Sequence, residues 1–297
     1  MKYSLNSFFI LFILSSHFAN SQTDTTTMYY KLERCLKTQN AEAFYNDLIL
    51  FKNSSQQILD LSSYILYHGN ETFGNSLQKI CLSKMDSISS NDYQSISVQQ
   101  TKNGDYQKAI HYLEKSITLE AKENENYYGW LLLYYYRDYK KALEHLNHYD
   151  DLTPNVIDAP VGENIHFLKG LCYYQLNQYK EAITEFEINK KFEIERFGNK
   201  NCNSYIYFYE ARCFEKLTNS IEAKKNYQSA IKLSPYATEA YYYLGLLYQS
   251  QQKNKLAEKS INKALQLIKK GYKQQDIYVE LFDEVYQSQI EESITKF

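Results

Sequence analysis

The chain has 297 residues, a formal net charge of −2 at pH 7, and only three Pro and nine Gly. That length builds one extended domain or two small ones, and a composition rich in Lys, Glu, Gln, Leu and Ala favours helix. Nucleic-acid binding needs a basic stripe; the nearest candidate, Lys269 and Lys270 with Lys273, is short and runs into acidic residues.

The first 22 residues, MKYSLNSFFILFILSSHFANSQ, place one positive charge at Lys2 and an apolar run from Phe8 to Leu14, with Ala19-Asn20-Ser21 before Gln22. This is the layout of a secretory signal peptide, and its apolar part is shorter than the roughly 20 residues that span a bilayer. Residues 1–21 are expected to be removed, leaving an exported, soluble product, periplasmic or secreted, with no membrane span. The first cysteine is Cys35, so no lipid-attachment cysteine follows the apolar run.

Residues 22–91 read as an N-terminal helical region. AEAFYNDLILF, QQILDLSSYILY and SLQKICLSKM carry apolar residues at spacings of three and four, the period of an amphipathic helix. Diverged repeats and a separate helical cap both fit.

From residue 92 to 271 a pattern recurs. An alanine follows each short polar turn: Ala109, Ala142, Ala182, Ala223 and Ala257, separated by 33, 40, 41 and 34 residues. Four residues after each stands Leu113, Leu146, Phe186, Tyr227 or Ile261. Twelve residues before the last three alanines lies another small residue, Gly170, Ala211 or Gly245. Short turns force consecutive helices antiparallel, and matched small residues let their backbones approach while bulky neighbours fill the groove. One such pair cannot bury its apolar stripe alone, so the faces must recur along the chain.

These residues resemble the tetratricopeptide repeat family. The last unit follows its pattern as Tyr241, Leu244-Gly245, Tyr248, Ala257, Ile261 and Ala264, and the one before as Tyr207, Ala211, Phe214, Ala223, Tyr227, Ala230 and Pro235, with Glu210 where Leu is usual. The third keeps Gly170, Tyr173, Ala182 and Phe186 but departs at Asn189, and its second helix is expected to run on towards Phe197-Gly198. The first two units keep the turn and second helix only. The resemblance implies an all-α, right-handed solenoid of stacked antiparallel helix pairs. It further implies a concave groove, lined by first helices, that receives a protein or peptide partner. Carried over from the family layout, the groove residues are Phe167, Leu171 and Tyr174, then Tyr205, Phe208 and Arg212, then Tyr242, Leu246 and Gln249. Their aromatic stripe, with Arg, has the composition of a binding hot spot; equally, the rings could pack on one another or under the C-terminal helix. The Lys/Asn clamp by which some family members hold chaperone tails is missing where Phe167, Leu171, Phe208 and Arg212 stand.

Residues 272–297 read as a C-terminal capping helix, with Ile277, Tyr278, Leu281, Phe282, Val285 and Tyr286 as its apolar stripe. Cys172 and Cys213, at equivalent sites of adjacent units, are expected as buried free thiols, while a Cys35–Cys81 bridge is conceivable in an exported chain. His145 and His148 share a helix face without a third ligand nearby in sequence, and read as a solvated surface. No motif of a catalytic or cofactor site stands out, so the expectation is a non-enzymatic scaffold without cofactor or metal. A self-associating structural protein and a glycan- or cell-wall-binding module are the alternatives; the oligomeric state is open.

Overall fold

The computed structural model describes residues 25–50, 53–67, 70–85, 87–154, 156–276 and 279–295. The signal-peptide residues 1–21, and Ile277 and Tyr278 of the C-terminal stripe, lie outside them. Among the described residues there are fifteen α-helices and no strand.

Fourteen of the helices form seven antiparallel hairpins. They are α1 (Thr25–Lys37) with α2 (Ala41–Leu50), α3 (Ser55–Tyr67) with α4 (Glu71–Lys84), and α5 (Ser90–Lys102) with α6 (Tyr106–Leu119). Next come α7 (Ala121–Leu131, continued by a π-helical turn over Leu132–Tyr136) with α8 (Tyr139–Leu152), and α9 (Ile165–Gln175) with α10 (Tyr179–Phe197). The last pairs are α11 (Ser204–Lys216) with α12 (Ser220–Leu233), and α13 (Thr238–Ser250) with α14 (Asn254–Ile268). A short α15 (Gln287–Ile294) follows. The chain divides into two compact units, Met1–Asn124 and Glu125–Phe297. The first repeat hairpin found in the sequence, α5–α6, sits in the N-terminal unit, which ends at Asn124.

One turn builds six of the hairpins, the α3–α4 turn including residues outside the described ones. The residue before each second helix's N-cap is left-handed: Gly104, Arg137, Asn177, Thr218 and Gln252 have φ of 79°, 55°, 61°, 59° and 58°, and Gln39 has 54°. Such a residue lets the N-cap amide close a bond back to the first helix, as in Asp105 to Gln100, Gln178 to Tyr173, Asn219 to Phe214 and Lys253 to Tyr248, at 2.8–2.9 Å. This satisfies carbonyls that the helix end leaves unpaired. Asp105, Asp138 and Asn219 then cap the second helix through their side chains, which takes up one of its free amides.

The five anchor alanines are fully buried, as are Leu113, Leu146, Phe186, Tyr227 and Ile261. Close approach explains the glycines. A Cβ on Gly170 would stand 2.4 Å from Phe186 Cε1, and one on Gly245 2.4 Å from Ile261 Cγ1. Gly129 of α7 fills the same role against Leu146, where a Cβ would lie 2.7 Å from Cγ. It stands thirteen residues before Ala142 because the π turn inserts one residue, so Asp138 bonds back to Leu132. The N-terminal unit has Phe44 and Gly74 in place of alanine; their amides bond to Asn40 and Asn70 as the anchors' amides do. Phe44 and Phe73 pack edge to face at 5.2 Å within an apolar core that includes Leu32, Ile58, Leu77 and Ile96.

Two departures from the repeat pattern are linked by Lys190, which follows Asn189 in sequence and bonds to Glu210. Glu210, 1% exposed, receives Lys190 Nζ at 2.6 and 2.8 Å, so a charge replaces the usual leucine by bringing its own partner. Asn189, where the pattern has alanine, is 1% exposed with neither amide atom hydrogen-bonded to protein. α10 does run on to Phe197, where Gly198 ends it. All five cysteines are free and buried, Cys35 and Cys81 included. Among the described residues no helix is long and apolar enough to cross a membrane.

The C-terminal segment differs from the expected helix over 272–297. Among the described residues of that range only Gln287–Ile294 is helical; residues 272–276 and 279–286 are irregular and follow Gly271, which is left-handed at φ 82°. A chain that must seat Phe282, Asp283 and Val285 on separate helices needs more reach than the 1.5 Å per residue of an α-helix. α15 nonetheless covers the last hairpin: Val285 and Ile290 are buried with Tyr242, Ile261 and Ala264.

Candidate functional site: the first-helix face and the loop across it

In the C-terminal unit the first helices α7, α9, α11 and α13 present one face to residues 272–276 and 279–286. These two legs have no helix, and their outer ends lie close together. At their base Lys273 pairs with Glu284, Lys273 Nζ stands 4.7 Å over the Tyr286 ring, and Tyr272 stacks on Tyr236 at 4.6 Å. The outgoing leg is held at the start of α13, where Thr238 Oγ1 donates to the Tyr272 carbonyl. There the Gln274 amide donates to Glu239 Oε1 at 2.9 Å.

At the far end Phe282 stacks on Tyr134 at 5.6 Å and meets Tyr139 edge-on at 5.9 Å. The Arg137 guanidinium lies 4.4 Å from its ring centroid, a cation–π contact. The π turn and the left-handed Arg137 supply this seat. The returning leg is gripped through main chain and side chain alike. Tyr209 Oη donates to the Phe282 carbonyl at 2.8 Å. Tyr174 Oη donates to Asp283 Oδ2 at 2.7 Å, and Arg212 Nη2 to Oδ1 at 3.2 Å. Burial holds the Tyr174 and Tyr209 phenols far above the usual tyrosine range, so both stay protonated donors.

The grip stands on supports of its own. Arg212 is held by Glu215 at 2.9 Å and lies 3.9 Å from the centroid of the Tyr243 ring. Glu215 in turn receives Tyr227 Oη at 2.6 Å, and Tyr134 Oη donates to Glu163 at 2.8 Å.

Of the nine residues assigned to a groove, the structure seats Tyr174 and Arg212 on Asp283, and Tyr242 under α15, where its hydroxyl meets Ser293 Oγ at 3.1 Å. Phe167 and Phe208 are buried among rings, Phe167 against Phe186 and Tyr209, Phe208 against Tyr205, Tyr209, Tyr227 and Tyr243. Leu171 is 1% exposed. Tyr205 donates to Glu239 at 3.1 Å; Leu246 is half-buried beside the α15 cluster, and Gln249 is half-buried. Tyr134, Arg137, Tyr139 and Tyr209 complete the site and went unnoticed in the sequence. The first two belong to a helix whose repeat spacing is shifted by one residue, and Tyr209 lies between two family positions.

A cavity of about 310 Å3 adjoins the outgoing leg, lined by Glu163, Phe167, Asn189, Glu193, Tyr205 and Gln274 among others. Burial pushes the Glu163 carboxyl up. Elsewhere, His145 and His148 both turn Nδ1 to the buried Glu125, the former at 2.8 Å. That carboxylate comes from α7, so the pair is a structural tie between helices. Among the described residues no group of side chains could hold a metal ion.

Two family models match the chain: residues 102–188 match the one described as anaphase-promoting complex, cyclosome, subunit 3, and residues 238–270 the one described as tetratricopeptide repeat. No curated protein matches at a significant level. Among solved structures, MamA (residues 41 to the end) from Desulfovibrio magneticus RS-1 is 18% identical with a TM-score of 0.51, over 61% of this chain and 96% of that one. YrrB, whose structure is titled a TPR protein with an unusual peptide-binding site, is 15% identical with a TM-score of 0.46, over 64% and 90%.

Proposed function

We propose that this chain, a tetratricopeptide repeat protein by its stacked hairpins and its two family matches, is a non-enzymatic scaffold. Its first-helix face, in residues 125–297, holds a segment of a partner protein. One observation carries the reading. The face grips an irregular stretch of chain by a main-chain carbonyl and an adjacent carboxylate at once, through Tyr209, Tyr174 and Arg212. Recognition of an extended peptide requires that combination: backbone bonds for affinity and pockets for particular side chains.

Photo-crosslinkers placed at Leu246 and Gln249 on α13, and at Ile221 on α12, which is 80% exposed, test it. A partner held on the first-helix face crosslinks from the α13 positions and not from Ile221. Crosslinks from Ile221 alone would move binding to the opposite face and remove the reading.

Export is part of the proposal and rests on the three-part layout of residues 1–22. The N-terminus of the protein recovered from its native cells should begin at or near Gln22. A product retaining Met1 and held in the cytosol would refute that half of it.

A further inference from the structure

We infer that residues 279–286 are a placeholder for a partner segment of defined chemistry: an aromatic ring, a carboxylate on the next residue, and a branched aliphatic two residues further on. This rests on the reading that the first-helix face takes a partner, and names what that partner must present. The order is that of Phe282, Asp283 and Val285, each of which has its own seat. The ring goes to Tyr134 and Arg137, the carboxylate to Tyr174 and Arg212, and the aliphatic to the buried cluster of Tyr242, Ile261, Ala264 and Ile290.

Three observations make the loop exchangeable. First, the seats apart from Arg137, which donates to the Glu280 carbonyl of the loop, are assembled by contacts that do not involve it: Arg212 by Glu215 and Tyr243, Glu215 by Tyr227, Tyr134 by Glu163. An arginine already oriented and paired loses little when an incoming carboxylate replaces the outgoing one, whereas an unsupported buried charge would forbid the exchange. Second, the loop has no regular structure to defend. Its Val279 and Leu281 amides bond to side chains within the loop, Asp276 and Glu284, both at 3.1 Å, and Asp283 is left-handed at φ 53°, a conformation that costs a residue with a Cβ. Third, the flanks are pinned separately. Tyr272 is tied to Tyr236 and Thr238, and α15 to Tyr242 and Lys269. The tip can leave while α14 and α15 stay in place, a local opening that leaves the hairpins folded.

A competing segment held in the same chain lowers the apparent affinity for a partner in proportion to the fraction of time the seats are vacant. The probe is a labelled peptide with the sequence of residues 279–286, VELFDEVY, titrated into the full chain and followed by fluorescence anisotropy. The full-length Phe282→Ala/Asp283→Asn variant is expected to bind it about tenfold or more tightly than the wild type. Asp283→Asn alone, an isosteric change that keeps the packing, is expected to fall between them. Adding Arg212→Ala to the double variant should abolish binding, as should replacing Phe and Asp in the peptide by Ala and Asn.

Equal affinity for wild type and both variants would overturn the placeholder while leaving the first-helix face as the binding surface. So would no binding by an Asp283→Asn chain of native circular dichroism, if crosslinks from Leu246 and Gln249 persist. Loss of those crosslinks would instead remove the underlying reading. Peptide-free dimerisation of the loosened variant, blocked by Arg212→Ala, would overturn the partner in favour of the loop of a second copy.

Discussion

Gly170→Ala adds a single methyl group where α9 crosses α10. Its carbon would stand 2.4, 2.7 and 2.9 Å from three atoms of the Phe186 ring, inside the separation real side chains reach. The ring has nowhere to go: it is fully buried, with Phe167 5.8 Å away on a tilted contact and Tyr209 stacked at 6.0 Å. Overpacking of this kind costs about 1–3 kcal/mol, while alanine's better helix propensity returns about 1 kcal/mol. The net expectation is a loss of up to about 2 kcal/mol, read as a fall in Tm of up to about 8 °C for a unit of this size. A cycle with Phe186→Leu isolates the contact: the smaller side chain makes room, so the double variant should be less destabilised than the two single changes sum to. Thermal unfolding followed at 222 nm provides all four numbers. A Tm raised in Gly170→Ala, together with additive effects in the cycle, would mean the propensity gain is unopposed, and the close approach of α9 and α10 would be refuted.

Asn189→Ala restores the repeat's usual small residue and removes two buried polar atoms without protein partners. It should raise stability by about 1 kcal/mol or more, and a loss in the same melt would show that the amide serves a bound group. Burial lifts the Glu239 carboxyl above its ordinary 4.5. The folded state then holds that proton more tightly, and its share of stability, full below 4.5, is lost as pH rises through the folded value. Glu239→Gln should flatten this dependence in melts between pH 4 and 7; a variant whose pH profile matches the wild type would contradict it. Burial pushes the Cys81 and Cys202 thiols up to about 12, and the other three cysteines are buried as well. Native protein should resist a thiol reagent that labels five sites after denaturation, and one fast-reacting thiol would break this account. Thr218 is β-branched at φ 59°, so Thr218→Gly should stabilise by about 1 kcal/mol by relieving a left-handed turn residue; a lower Tm would argue against the strain.

The stack was legible because close packing leaves a trace with a fixed period: an alanine that must touch a neighbouring helix cannot drift. It failed to be legible where the trace was shifted or substituted. Gly129 sits one place early because of the inserted π residue, and Phe44 and Gly74 stand at the sites where an alanine marks the later hairpins. Of the groove residues, Tyr174 and Arg212 are placed by the family layout on the open side of a first helix, and both bond to Asp283. Phe208 and Leu171, placed on that side by the same layout, are buried, Phe208 among rings of its own and the next two helices, which a single-helix view cannot foresee. The C-terminal segment read as an amphipathic helix because Leu281, Phe282, Val285 and Tyr286 have helical spacing. Spacing alone does not say that each ring and chain finds a different receptor.

The inserted residue in the fourth hairpin reaches further than its own turn. Taking one residue out of Leu132–Tyr136 would let α7 close as an ordinary α-helix, and each side chain beyond the cut would swing by about 100° around the axis. Tyr134 would no longer face Phe282, although Gly129 and Ala142 would then stand at the spacing of their counterparts. A single codon thus separates a plain structural hairpin from one that carries an aromatic receptor, and chains of this type could gain or lose the receptor without any change in how their helices stack.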